Sequence, residues 1–230
     1  MNKYPAAAVF LLILINISCV NQRPAFIPDV DNNVFNYEKT EKINQDDIID
    51  TKDGLHSASE EPEIIIPEWL RVFLYGGTGA VEMLRSYNGK YIFIAVSQGV
   101  NLAALNIWTE RFSSDHDFPM YAAERIEKRM TSSAAQYPDY EYGLFFERLV
   151  KNAFSWEYSG VKKEDSYWIK ILTDNASSQT YMAFILLSVD RLVLQNIINE
   201  MITKTITEVT PTRAQTTAIN RLKQNFFSGF

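Results

Sequence analysis

The chain has 230 residues, of which 47% are hydrophobic and 22% are charged, and its formal net charge is -6. This length and composition suit one ordinary globular domain rather than several domains. A single cysteine excludes an intramolecular disulfide, and the absence of a basic excess disfavours nucleic-acid binding.

Residues 1–18 have the layout of a secretory signal peptide. Lys3 lies near the amino terminus, an apolar run extends from Ala6 through Ile15, and Ser18 precedes Cys19. The run is roughly a dozen residues long, whereas a helix that crosses a bilayer needs about 20. The sequence therefore predicts export with cleavage rather than a transmembrane anchor.

Cys19, directly after the apolar run and a small residue, looks like the modified cysteine of a bacterial lipobox. The resemblance implies a diacylglyceryl thioether on Cys19, cleavage before it, and acylation of the new amino terminus, for example with palmitate. The lipid bilayer would then be the first partner of the protein. Asn16 departs from the motif, which has an aliphatic residue there, and relaxed lipoboxes of this kind occur in spirochaetes. The alternative is an ordinary secreted protein in which Cys19 falls within or near the discarded peptide.

Residues 19–65 are predicted to be a lipidated cysteine followed by a disordered acidic linker. From Val20 to Ile65 there are eleven acids and four bases, which leaves the rest of the chain evenly charged. Low hydrophobicity with excess charge cannot bury enough apolar surface to offset the entropy of ordering. We expect the segment to be an extended spacer, with an acidic tail for basic partners as the alternative.

Residues 66–230 are predicted to form the globular domain, because all four tryptophans lie there. The apolar run Tyr91–Val96 predicts a buried strand, and residues 101–112 predict a helix. A second helix is expected to start near Asp117 and to stop before Pro138. Its buried stripe is Phe118, Ala122, Ile126, Met130 and Ala134.

Asp139 is predicted to cap the next helix, with residues 145, 146, 149, 150, 153 and 154 on its buried face. Strands at 166–173 and 180–189 flank a polar turn and predict an antiparallel hairpin. Asp190 is expected to cap a further helix, and the final helix starts near Thr212. Together these elements predict an α+β domain with about three strands in a small, antiparallel-containing sheet packed by several helices.

Three segments of this domain resemble an uncharacterised family of treponemal, that is spirochaete, envelope lipoproteins. They are the entry Ile66-Pro67-Glu68-Trp69, the strand leading to Val96-Ser97-Gln98-Gly99, and the ending from Ala218 to Phe230. The pattern is distantly similar to small bacterial outer-membrane-associated lipoproteins. The resemblance implies a lipidated envelope protein and brings no chemistry with it.

The glycine-rich stretch from Val72 to Glu82 is the best enzyme-like signal. It is compatible with the strand, glycine turn and helix of a dinucleotide-binding fold, but Glu82 stands where that motif has its third glycine. We expect instead a glycine-rich connection between a helix and the sheet. No cofactor is therefore predicted.

Two clusters of polar residues are candidates for a catalytic or metal site, and both are predicted to be solvated. His116 lies between Asp115 and Asp117 without a second nearby histidine, and neighbouring helix-start residues diverge. Glu164 and Asp165 precede a strand and are expected to face solvent. No catalytic or metal residue is predicted.

Tyr137, Tyr140 and Tyr142 surround a predicted helix–helix turn and form a candidate binding surface. Their rings suit stacking on a sugar, a peptide or a wall strand, and the alternative is packing at a corner of the core. The sequence predicts an exported, lipid-anchored envelope protein on the periplasmic face or the outer membrane. A non-enzymatic module with a protein or cell-wall partner is favoured over a lipidated enzyme whose site is not recognisable.

Overall fold

The computed structural model describes residues 43, 47–52, 65–135, 142, 144–172 and 179–227. Within them lie six helices and four strands, which confirms the α+β class; the sheet has four strands where about three were predicted. The elements in chain order are β1 Ile48–Thr51, α1 Glu68–Glu82, β2 Lys90–Gly99, α2 Leu102–Arg111, α3 Ser114–Ala135, α4 Phe145–Ser155, β3 Lys162–Leu172, β4 Gln179–Asp190, α5 Arg191–Val209 and α6 Arg213–Phe226.

The sheet is antiparallel throughout, with the strand order β1-β3-β4-β2. β3 and β4 form the predicted hairpin, in which Ile169 lies opposite Met182. β4 is central, and its residues 182–189 are all buried. A strand covered on both faces needs a continuous apolar run, which residues 182–187 of β4 supply.

The sheet separates two apolar clusters and makes the domain a layered structure. On one face α1 packs Trp69, Leu70 and Phe73 against Ile92 and Phe184. On the other face the cluster is built from residues of α3, α4, α5 and α6 packed on Phe93, Ile185 and Leu187. Successive side chains of a strand point to opposite faces, so β4 contributes to both clusters in alternation.

β1 lies inside the segment predicted to be disordered. Ile48 is 2% exposed and packs in the α1-side cluster, and β1 pairs with β3 through Ile48 opposite Ile171. Local composition predicted a spacer here because acids surround these residues. The strand forms because the edge of β3 offers hydrogen bonds and an apolar surface that Ile48 covers.

Most helix predictions are confirmed, with two corrections in α4. The stripe of α3 is buried at Phe118, Ala122, Ile126 and Met130, and Asp190 caps α5 by accepting the N–H groups of Leu192 and Val193. α4 begins at Phe145 with Leu144 in the N-cap position, so Asp139 is not its cap. Phe154, predicted to be buried, is 52% exposed, because the buried face of α4 runs through Phe145, Leu149, Asn152 and Ala153 and leaves Phe154 on the opposite side.

None of the described helices combines the length and the apolar character that a membrane-spanning helix requires.

Candidate functional site

A cleft of about 470 Å³ opens beside β2, which is an edge strand of the sheet. Its walls are the end of α1 at Thr78 and Glu82, the β2 residues Ile92–Ile94, and one side of α3. The α3 wall consists of Tyr121, Glu124, Arg125, Lys128, Arg129 and Ser132. The cleft therefore combines a strand edge with a polar, mixed-charge helix surface.

A break in α1 at the glycine-rich stretch shapes one wall of the cleft. Gly77 has φ 70° and ψ -171°, a conformation outside the helical region that is essentially reserved for glycine. Residues on both sides of Gly77 are helical, so the stretch is neither the strand and turn of a dinucleotide site nor the simple connection that was expected. The glycines of this stretch predict a connection between a helix and the sheet. In the structure the apolar face of α1 instead continues to Val81.

The break directs Glu82 onto the free edge of β2. Glu82 is 9% exposed, and its Oε1 accepts the Ile92 backbone N–H at 2.9 Å and Arg125 Nη2 at 3.0 Å. Its Oε2 lies 3.5 Å from Arg191 Nη2. Every carboxylate oxygen is therefore engaged, and the buried charge is compensated by two guanidinium groups.

Arg125, on α3, bonds to the same edge of β2 and satisfies the second outward backbone group of Ile92. Its Nη1 donates to the Ile92 carbonyl at 2.8 Å, and its guanidinium lies 5.2 Å from the Tyr91 ring centroid and 5.0 Å from that of Phe93. Together Glu82 and Arg125 satisfy both backbone groups of Ile92, as a neighbouring strand would. Because both side chains are used for structure, they are poorly placed for proton transfer.

The remaining cleft residues include a tyrosine and an ion pair. Burial, and then the nearby carboxylates of Asp117 and Glu124, raise the pKa of Tyr121 to about 12, so its hydroxyl stays protonated at neutral pH. Lys128 Nζ lies 3.6 Å from Glu124 Oε1 on the outer side of α3. This wall offers hydrogen-bond donors and acceptors to a bound group.

Glu164 is exposed, as predicted, and Asp165 is partly buried; both also bond to neighbouring elements of the sheet. The β3–β4 register shifts between Lys163 and Asp165, which is a bulge that reorients Glu164. Glu164 Oε1 accepts Lys90 Nζ at 2.7 Å and the Ser188 hydroxyl. These hydrogen bonds lower the pKa of Glu164. Asp165 Oδ2 accepts the indole N–H of Trp69 at 2.8 Å, which ties α1 to β3.

The group around His116 does not converge on a common point. Asp117 Oδ2 accepts the backbone N–H of Ser113 at 2.7 Å at the start of α3, while His116 and Asp115 are exposed. Among the described residues no set of three or more His, Cys, Asp or Glu side chains is placed to hold a metal ion.

Of the three candidate tyrosines, Tyr142 lies within the described residues. It is 9% exposed, belongs to the cluster on the α3 side, and stacks on Phe146 with ring centroids 4.5 Å apart. For this residue the structure shows core packing rather than an exposed binding surface. Tyr137, Tyr140 and the lipidation site Cys19 lie outside the described residues.

Sequence reasoning missed Glu82 and Arg125, the two side chains that define the cleft. In the sequence, Glu82 stands out only because it occupies the position of the third glycine in the dinucleotide-binding motif. Arg125 lies beside the buried stripe of the long helix α3, on a side where a basic residue is ordinarily solvated. Glu82 precedes Ile92 by ten residues. Many acidic residues lie at a similar distance from an apolar strand position, so this spacing alone does not identify the pair.

Comparison with known proteins gives no relative: no family model, no curated protein and no solved structure matches this chain.

Proposed function

We propose that this chain is an exported lipoprotein of the bacterial cell envelope, anchored through Cys19, whose α+β domain is a non-enzymatic binding or structural module. The observation that carries the anchoring is the unique cysteine directly after a short apolar run and a small residue. Two or more acyl chains are sufficient for stable attachment, since each buried methylene contributes about 0.8 kcal/mol.

The chemistry of the cleft supports recognition rather than catalysis. Its buried acid, Glu82, accepts a backbone N–H and faces two guanidinium groups, and Tyr121 remains protonated. General acid–base catalysis needs groups that exchange protons near the operating pH. A cleft built around a strand edge and polar side chains instead suits the binding of another polypeptide.

A lipidated enzyme is the second candidate. The observation in its favour is the cleft itself, because Glu124, Lys128 and Tyr121 line one wall within a concavity of about 470 Å³. An enzyme using these groups would lose its activity, but not its fold, when Lys128 is replaced by Met. A binding module would show no turnover to lose.

The anchoring is tested by intact-mass analysis of the detergent-extracted protein beside a Cys19→Ala variant, with membrane and soluble fractions assayed for both. We expect the natural protein to begin at Cys19, to carry acyl chains and to sediment with membranes, and the variant to leave the membrane fraction. A Ser18→Ala variant, which keeps a small residue before the cysteine, should behave like the natural protein. An unmodified protein in the soluble fraction with Cys19 intact would refute the proposal.

A further inference from the structure

The outer edge of β2 presents backbone groups that point away from the sheet. Arg191 donates its backbone N–H to the Gly89 carbonyl at 3.0 Å, so the odd-numbered residues that follow Gly89 face β4. In an antiparallel strand the intervening residues direct both N–H and C=O to the other side. Ile92 follows this rule, since its two groups bond to Glu82 and Arg125.

The same alternation turns the backbone of Ile94, Val96 and Gln98 outward. These three residues are partly exposed, and within the part of the chain that the structure describes their outward groups have no hydrogen-bond partner. An edge of this kind is a template for another strand.

From Tyr91 onward, β2 also lacks the features by which edge strands usually avoid pairing. From Tyr91 to Thr109 nineteen consecutive residues carry no charge, although 22% of the chain is charged. The β2–β4 register runs without a bulge, and the strand contains no proline. Beyond its end Val100 is 78% exposed and leads to exposed Ala103 and Ala104 on α2. Lysines, prolines and bulges are the common protections of a free edge, so this edge is suited to association.

We propose that β2 pairs in antiparallel fashion with β2 of a second copy of this chain, about a two-fold axis at Val96. In that register Val96 lies opposite its own equivalent, and Ile94 lies opposite Gln98 of the other copy. All three outward residues then exchange hydrogen bonds, and two four-stranded sheets become one of eight strands.

The closure of Ile92 by Glu82 and Arg125 selects this register. Pairing must stop before Ile92, and only an axis at Val96 uses all three of the remaining outward residues. The positions opposite Ile92–Ile94 are then Gln98–Val100 of the other copy. Because Glu82 and Arg125 occupy the neighbouring-strand position at Ile92, the exposed and uncharged corner at Val100 lies against the rim of the other copy's cleft.

A second copy fits this edge better than a bilayer does. Outward N–H and C=O groups need hydrogen-bond partners, which hydrocarbon does not supply. The register is self-complementary, and the paired residues bring no like charges together, since none of them is charged. The pairing does not depend on lipidation of Cys19, so the two proposals can fail separately.

Cysteine cross-linking of the full chain in detergent tests the register, in a Cys19→Ala background that removes the natural thiol. For Val96→Cys the two equivalent Cα atoms lie about 5.5 Å apart in the dimer, within the roughly 4.4–6.8 Å that a disulfide spans. For Val100→Cys they lie about 27 Å apart, at roughly 3.4 Å per residue. We expect mild oxidation to give a covalent dimer at position 96 and little at position 100.

Val96→Cys and Val100→Cys together distinguish cross-linking caused by the proposed register from cross-linking caused by exposure alone. Val100 is the more exposed position, so random collisions would cross-link Val100→Cys at least as well as Val96→Cys. That result would overturn the proposal.

A measurement of protein mass by light scattering keeps the proposal testable if the cysteine variants fold poorly. The Cys19→Ala chain should have twice the 26.4 kDa of one chain, and Gln98→Lys should lower the mass to that of a monomer. Asn220→Lys adds the same charge at an exposed position of α6 and should leave the dimer intact. If the Cys19→Ala chain is monomeric, β2 does not pair with a second copy, and the proposal is contradicted. The edge would then be available only to a strand of a different protein.

Discussion

Glu82 shows at the scale of one residue how a buried charge replaces a missing strand. The outermost strand of a sheet has no neighbour to satisfy Ile92, and this carboxylate accepts its N–H at 2.9 Å. The cost of burying the charge is offset because Arg125 and Arg191 both face it. The glutamate therefore belongs to the stability of the fold as well as to the wall of the cleft.

Replacing Glu82 by Ala should lower the free energy of unfolding by about 3 kcal/mol, because breaking a buried ion pair by removing one partner typically costs 3–5 kcal/mol. The loss also leaves the Ile92 N–H without its acceptor. Urea denaturation measures the change. The matched control is Glu124→Ala, whose partner Lys128 is 42% exposed; an exposed pair of this kind should contribute less than about 0.5 kcal/mol. Equal effects of the two substitutions would contradict the structural role of Glu82.

At the scale of the element, α1 continues as a helix on both sides of a glycine-rich break, although local propensity alone would end the helix there. Three of four consecutive residues, Gly76, Gly77 and Gly79, are glycines, and they are the poorest helix formers apart from proline. Only Gly77 has a positive φ. At Gly76 an added Cβ would lie 2.6 Å from the Ala80 Cβ, so the two halves of the helix also approach closely there.

Gly77→Ala should destabilise the domain by about 1–3 kcal/mol, the usual cost of holding a residue with a Cβ in that backbone region. An added Cβ at Gly77 meets nothing within 4 Å, so the cost is conformational rather than steric. Gly79→Ala is the control, because its site is equally open but its φ is not positive, and it should be neutral or stabilising by up to about 1 kcal/mol. Thermal unfolding followed by circular dichroism measures both. A neutral Gly77→Ala variant would show that α1 does not need the break.

At the scale of the whole molecule, the sheet joins two helical layers, and a few polar contacts fix their positions. Glu164, reoriented by the β3 bulge, holds Lys90 of β2 and Ser188 of β4, while Asp165 holds Trp69 of α1. These contacts lie at one end of three neighbouring strands. They connect the α1 layer to the sheet.

The lowered pKa of Glu164 predicts a pH-dependent contribution to stability. A carboxyl whose pKa is lower in the folded state stabilises fully above its unfolded pKa, near 4.5, and loses this contribution as the pH falls through the folded value. The difference in unfolding free energy between the natural protein and Glu164→Gln should therefore be constant near neutral pH and shrink below pH 4.5. Denaturation titrations at several pH values measure it. A difference that grows on acidification would contradict the assignment.

The sequence by itself determined most elements of this protein and its fold class. Periodicity gave α3 with its buried stripe, the strand Tyr91–Val96, the β3–β4 hairpin and the cap at Asp190, because each depends on residues close in the chain. The order of charge and hydrophobicity along residues 1–65 likewise predicts export, lipidation and a spacer. Export and lipidation rest on sequence alone, whereas the structure places residues 48–51 of the predicted spacer in the sheet.

Only the tertiary structure decided the parts that depend on distant partners. Ile48 joins the sheet because β3 offers an edge more than a hundred residues later, and Glu82 becomes a strand-edge acceptor because α1 breaks at Gly77. Tyr142 is buried because Phe146 and the α3-side cluster cover it, although its neighbours suggested an exposed surface. Long-range pairing and burial set these outcomes, and neither is encoded in the spacing of nearby residues.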